Sequence, residues 1–251
     1  MSPTVLLLAG GALFLLAGRK KKVAVSKVKC PLLSPGRGNL AGFDYIEFTT
    51  GGASLSDRLP MIIFFHSLGA DPNGMTKFLE GFPIPVRVVM PYGHETYGGG
   101  PAWWRLRSKT EDQAELARQM NDVSEAILEF IKQASQCLPT TGRPIIVGHS
   151  QGGMMTYAVA AKNSRLVKAA VPVSGWLPIN LWPRAITSTI AIHGTKDRTV
   201  SFERTADFLS RATSAGLPIE FYPIEGHGHS LSGDLLSTWI EMIKKAVRTD
   251  I

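Results

Sequence analysis

The chain has 251 residues, 44% of them hydrophobic and 19% charged, which suits one domain with a sizeable core. Its net charge of +7 does not describe a nucleic-acid-binding surface, because residues 1–29 hold six basic residues and no acid, leaving 21 Lys+Arg against 20 Asp+Glu in the remainder. The two cysteines, Cys30 and Cys137, offer neither a dense disulfide framework nor a zinc spacing, so two free thiols in a reducing compartment are expected.

Met1 to Gly18 carry no charged side chain, and Arg19-Lys20-Lys21-Lys22 follow directly. A secretory signal places its positive charge before the apolar stretch, the reverse of this order. As a helix these residues would span about 27 Å, just short of a hydrocarbon core of about 30 Å. Residues 1–22 are therefore expected to form a short transmembrane anchor. The basic cluster would hold the following domain on the cytoplasmic side. An atypical export signal is one alternative, and an apolar helix packed on the protein or a partner is another. Residues 23–42, with Pro31, Pro35, Gly36 and Gly38, predict a linker.

From Phe43 onward, strand-like runs alternate with helical patterns, which predicts an α/β domain over residues 43–251 with a mostly parallel sheet. Phe43–Thr50 alternates as an early strand. Met61–Phe65 and Val86–Met90 are continuous apolar runs, as strands buried on both faces should be. Between Glu111 and Gln136, Leu116, Met120, Val123, Ile127 and Ile131 recur at spacings of three and four and predict a long helix. Pro144–Val147 reads as a short strand and Met154–Lys162 as a helix. Ala169–Val173, Thr189–Ile192 and Ile219–Ile224 read as strands. Phe202–Ala215 and Ser232–Arg248 read as helices.

Gly148-His149-Ser150-Gln151-Gly152 fits the G-x-S-x-G pattern between an apolar strand and a helix, the context in which that pattern forms a nucleophile elbow. A serine hydroxyl needs a base, and the base an orienting acid; the fold supplies them downstream in the order Ser, Asp, His. Asp197 follows the strand Thr189–Ile192 in a glycine-containing loop and is the candidate acid. The last strand leads into Gly226-His227-Gly228-His229-Ser230, where two histidines compete for the role of base. Spacing from the strand does not choose between them. His149, at the variable position of the motif, is expected to be a packing residue, and His66 a structural hydrogen-bonder.

From Met61 to Val247 the chain resembles the carboxylesterase/phospholipase branch of the α/β-hydrolases, which includes acyl-protein thioesterases. The resemblance lies in Phe65-His66-Ser67-Leu68-Gly69-Ala70, Pro101-Ala102-Trp103-Trp104, Gly148 to Gly153, Val173-Ser174-Gly175, His193 to Val200 and Gly226 to Ser230. It implies the α/β-hydrolase fold, with a mostly parallel central sheet flanked by helices. It also implies His229 as the base, with His227 as the alternative, and an oxyanion hole from the backbone N–H groups of Leu68 and Gln151. Trp103 and Trp104 are either substrate-pocket residues or core. Where the family usually has His-Gly-Leu-Gly, this chain has His66-Ser67-Leu68-Gly69, so a positive φ at Ser67 would strain that loop.

The function implied is a serine hydrolase acting on carboxylic esters through an acyl-enzyme. Its substrate would be a small-molecule or lipid-derived ester, with thioesters and lysophospholipids in the wider set. No cofactor, metal or nucleic acid is called for. The alternatives are a membrane-anchored interaction or structural protein on a hydrolase scaffold, or a peptidase or dienelactone-type hydrolase of the same fold.

Overall fold

The computed structural model describes Cys30, residues 34–105 and residues 112–249. In chain order its strands are β1 (Arg37–Leu40), β2 (Phe43–Thr49), β3 (Leu59–Phe65), β4 (Arg87–Pro91), β5 (Glu95–Tyr97), β6 (Gly100–Ala102), β7 (Thr140–His149), β8 (Ala169–Val173), β9 (Thr189–Gly194) and β10 (Ile219–Ile224). The helices are α1 (Pro72–Met75), α2 (Gln113–Cys137), α3 (Gln151–Lys162), α4 (Phe202–Ser214) and α5 (Gly233–Arg248).

Eight strands form one sheet in the order β1-β2-β4-β3-β7-β8-β9-β10, while β5 and β6 pair as a separate hairpin. The pairings of β1 with β2 and of β2 with β4 are antiparallel, and the rest of the large sheet is parallel. Buried strands alternate between two cores, as the two-residue period requires. Ile62 and Phe64 of β3 pack on one face with Leu235, Trp239 and Ile243 of α5. Met61, Ile63 and Phe65 pack on the other with Leu116, Met120, Ile127 and Ile131 of α2, and with α3 and α4. Fully burying side chains of this size stabilises by about 1.5–3 kcal/mol each. That explains why these strands read as continuous apolar runs.

The chain passes from β3 to β4 in one direction along the sheet and then crosses to β7 on the other side of β3. The loops leaving the carboxyl ends of β3 and β7 therefore diverge around a crevice, where open α/β sheets bind ligands.

Two expectations need correction. Residues 37–40, expected within a linker, form β1, and Leu40 is buried in the core. The strand is too short to show a period, and its signal is the turn that follows: Ala41 and Gly42 both take positive φ (49° and 86°), the pattern of a two-residue type I′ hairpin turn. The cysteines are not free thiols. Cys30 and Cys137 form a disulfide across 107 residues, with Cα atoms 5.4 Å apart. The pairing arises because Cys137 ends α2, whose Gln133 Oε1 accepts the Ala41 N–H beside β1. No local spacing carries that information. The expected membrane anchor, residues 1–22, lies outside the described residues. Among the described residues no helix is long and apolar enough to cross a membrane.

Candidate active site

Strand β7 runs out at His149, and α3 begins at Gln151. Between them Ser150 takes φ 59° and ψ −120°, a conformation that non-glycine residues rarely adopt. The reversal is tight because the flanking chain lacks side chains. A Cβ on Gly152 would stand 2.0 Å from the Phe65 carbonyl oxygen, and one on Gly148 would stand 2.3 Å from the Gly152 carbonyl oxygen. The first contact brings α3 directly against the end of β3, and the Ser150 N–H donates to the Val173 carbonyl oxygen of β8 at 3.0 Å. Three strand ends thus hold the serine.

Ser150 Oγ lies 2.9 Å from His229 Nε2, and His229 Nδ1 lies 2.7 Å from Asp197 Oδ2. The loop after β9 fixes Asp197, whose Oδ1 accepts the N–H groups of Thr199 and Val200, each at 2.9 Å. His193 Nε2 sits 3.3 Å from Asp197 Oδ2 and 3.0 Å from the Val200 carbonyl oxygen, which places its proton on Nε2. Burial by itself would push the Asp197 carboxyl up. The hydrogen bonds from His193, His229 and the Val200 N–H outweigh it and hold the group well below the usual carboxylate range. The acid is therefore a buried anion whose Oδ2 faces His229 Nδ1 at 2.7 Å and His193 Nε2 at 3.3 Å. His227 points elsewhere: its Nδ1 lies 3.1 Å from the Gly228 carbonyl oxygen, and no hydrogen bond joins it to Ser150 or Asp197.

The Leu68 N–H follows the end of β3, and the Gln151 N–H starts α3. Neither donates to another described residue. Gly69 braces the Leu68 loop: its N–H donates to the Pro101 carbonyl oxygen of the hairpin at 2.9 Å, and a Cβ on Gly100 would stand 2.1 Å from the Gly69 carbonyl oxygen. The Gln151 side chain accepts from the Trp103 N–H and donates to the Trp104 carbonyl oxygen, tying the elbow to the chain beyond β6.

Trp103 and Trp104 are each only 1% exposed and belong to the core. Trp103 stacks on His66 at 4.6 Å and donates its indole N–H to the His66 carbonyl oxygen. His66 Nε2 accepts the Gly93 N–H, so its proton is on Nδ1, facing the Ser67 carbonyl oxygen at 2.8 Å. Burial lowers its pKa to about 4, and the ring is a neutral brace for the loop.

The strain expected at Ser67 is absent, since among the described residues the non-glycine positions with positive φ are Ala41, Ser150 and Ser174. Ser67 instead turns its hydroxyl to the elbow, 2.9 Å from His149 Nδ1 and 3.2 Å from the His149 carbonyl oxygen. A groove of about 420 Å³ lies beside this contact, and Ser67, Asp71, Lys77, His149, Met75 and Phe78 are among the residues that line it.

Residues 54–247 match the family model described as phospholipase/carboxylesterase. The chain belongs to that family. It is similar to two Arabidopsis thaliana proteins. With carboxylesterase SOBER1 it shares 33% identity over 41% of this chain and 48% of the relative. With a probable SOBER1-like carboxylesterase it shares 31% identity over 66% of each. The chain thus spans about half to two thirds of these relatives. The crystal structure of esterase PE8 superposes with a TM-score of 0.70 at 18% identity, covering 81% of this chain and 99% of that one, a likeness of fold.

Two residues near the reacting groups, His193 and His149 (the latter expected to be a packing residue), make contacts that the sequence reading did not assign. His193 is legible only as the fourth residue before Asp197, a spacing that the end of β9 turns into a contact. His149 stands at the motif's variable position, and only the folded loops show what it touches.

Proposed function

We propose that this ester hydrolase works through a Ser150–His229–Asp197 triad and an acyl-enzyme. The observation that carries the reading is the unbroken line of contacts from Ser150 Oγ through the His229 ring to Asp197, at 2.9 Å and 2.7 Å. His229 Nε2 takes the proton of Ser150 as Oγ attacks the ester carbonyl carbon. Asp197 holds the remaining ring proton on Nδ1 and stabilises the imidazolium. Negative charge collects on the former carbonyl oxygen, where the N–H groups of Leu68 and Gln151 receive it; such donors contribute about 3–4 kcal/mol each. His229 then returns its proton to the departing alkoxide, which leaves as the alcohol. Water, activated by the same ring, attacks the acyl-enzyme and releases the acid and Ser150.

Small and medium acyl groups fit best. The described connections hold no large lid over the elbow. Thioesters and lysophospholipids share the carbonyl chemistry and belong to the wider set. The test is labelling of the full chain with a fluorophosphonate probe, beside a p-nitrophenyl ester panel of increasing chain length. Wild type should label and turn over, and Ser150→Ala and His229→Ala should lose both. An active His229→Ala with an inactive His227→Ala would reassign the base.

The Cys30–Cys137 disulfide favours an exported location over the cytoplasmic one, because cytosolic thiols are kept reduced. Residues 1–22 stay our candidate for membrane contact. Cells lysed in a maleimide reagent without reductant should yield unmodified chain; full modification of both cysteines would return the domain to a reducing compartment. Flotation of the full chain with lipid vesicles tests the contact itself.

A further inference from the structure

We infer that Ser67 and His149 form a positioning bridge that joins the three loops of the active site and sets the place of the base His229. The inference rests on the triad proposed above. Ser67 immediately precedes Leu68 in the oxyanion loop, and His149 immediately precedes Ser150 in the elbow. His149 Nε2 lies 2.8 Å from the backbone carbonyl oxygen of His229 in the base loop. Two side chains, neither of which touches the reacting atoms, therefore link the donor, the nucleophile and the base.

The proton positions follow from the partners. A carbonyl oxygen only accepts, so His149 Nε2 carries the proton and donates it to His229. His149 Nδ1 is then a bare acceptor, and the Ser67 hydroxyl donates to it at 2.9 Å. Burial, reinforced by the neighbouring His229, lowers the His149 pKa to about 4 and keeps the ring in this single-proton form. The rings of His149 and His229 lie 4.8 Å apart at 40°, so the bridge also walls one side of the base.

The base loop needs such a tether. His229 follows Gly226, at φ 71°, and Gly228, two residues that leave the backbone soft. The loop before it is tied to the loop after β9, where the Lys196 N–H donates to the His227 carbonyl oxygen at 2.8 Å and the Gly226 N–H to Thr195 Oγ1 at 2.9 Å. At His229 itself the Asp197 contact orients the ring, and the hydrogen bond to the backbone is the one from His149. The donor from His149 pins that backbone. The serine that replaces the family's usual glycine and the histidine of the elbow belong together: with glycine at 67, the buried Nδ1 of His149 would lose the hydroxyl that faces it.

The test uses the full chain and the variants His149→Phe, His149→Gln, Ser67→Gly, the Ser67→Gly/His149→Phe pair, and Ser150→Ala. For each we would measure kcat and KM on p-nitrophenyl butyrate, the rate of fluorophosphonate labelling, and the thermal midpoint. His149→Phe should lower kcat and the labelling rate about 10- to 100-fold with KM nearly unchanged. The double variant should be no worse, because the two residues act as one unit. His149→Gln keeps an N–H donor close to the position of Nε2 and should recover most of kcat. A fall in KM-controlled binding alone, additive losses, or a folded His149→Gln no better than His149→Phe would each overturn the bridge. If His149→Phe does not fold, Ser67→Gly decides, since it removes only a hydroxyl: a kcat within twofold of wild type rejects the inference. An active Ser150→Ala would instead reject the triad, which separates the two failures.

Discussion

Replacing Asp197 by asparagine isolates what the carboxylate does for the base. The geometry dictates how the new side chain sits. Two backbone donors, the N–H groups of Thr199 and Val200, point at Oδ1, so the amide oxygen of asparagine must stay there. Its NH2 group then occupies the place of Oδ2, 2.7 Å from His229 Nδ1. An NH2 group donates and does not accept, so His229 must present a bare Nδ1 and carry its proton on Nε2. That nitrogen faces Ser150 Oγ at 2.9 Å and, once protonated, cannot take the serine proton. The same swap of tautomer in other triads costs about 10⁴-fold in kcat, about 5.4 kcal/mol of transition-state stabilisation. Asp197→Asn should therefore lose about 10³- to 10⁴-fold in kcat on p-nitrophenyl butyrate, with KM changed little and the circular dichroism spectrum native. A folded variant with kcat within tenfold of wild type would refute the tautomer argument.

Three further outcomes test the surrounding structure. Gly152→Ala drives a Cβ to 2.0 Å from the Phe65 carbonyl oxygen, so α3 must shift by roughly 1 Å, and stability should fall by about 1–3 kcal/mol or more with loss of fluorophosphonate labelling; a soluble, labelled variant would show that the elbow is looser than described. Reduction of Cys30–Cys137 should lower the thermal midpoint by about 10–20 °C, from about 4.8 kcal/mol of chain entropy over the 107-residue separation, and scans with and without dithiothreitol that coincide would deny the cross-link a stabilising role. Mild acid should weaken the fold through two buried histidines. His66 and His149 are lowered from 6.5 to about 4 by burial, so between those values the unfolded chain binds more protons and stability falls as pH falls, by up to about 3 kcal/mol per ring. Asp197, held low, keeps its contribution through that window. Urea midpoints that stay flat from pH 7 to 4.5 would contradict this, as would a His149→Phe variant with an undiminished slope.

The elements closest to the core were legible because their signals are local. β8 falls where the apolar run lies, Ala169–Val173, since burial on both faces leaves no polar position in it, and β10 falls at Ile219–Ile224 although it is a half-exposed edge strand. The long helix α2 announced itself by spacing, and the family by six short motifs in order. β1 and the hairpin of β5 and β6 were not legible. They are three or four residues long, and their registers come from glycine turns rather than from any period.

By itself, then, the sequence determined that an apolar strand, a glycine-flanked serine and a helix follow one another, because chain neighbours need no folding to be neighbours. It also ordered Asp197 and two histidines behind that serine. Only the tertiary structure decided that His229 rather than His227 faces Ser150, and that Cys30 meets Cys137. It alone brings Ser67 to His149 and His149 to the carbonyl of His229. Each of those contacts joins residues about 30 to 107 positions apart. The packing of the sheet sets such meetings, and no spacing along the chain encodes it.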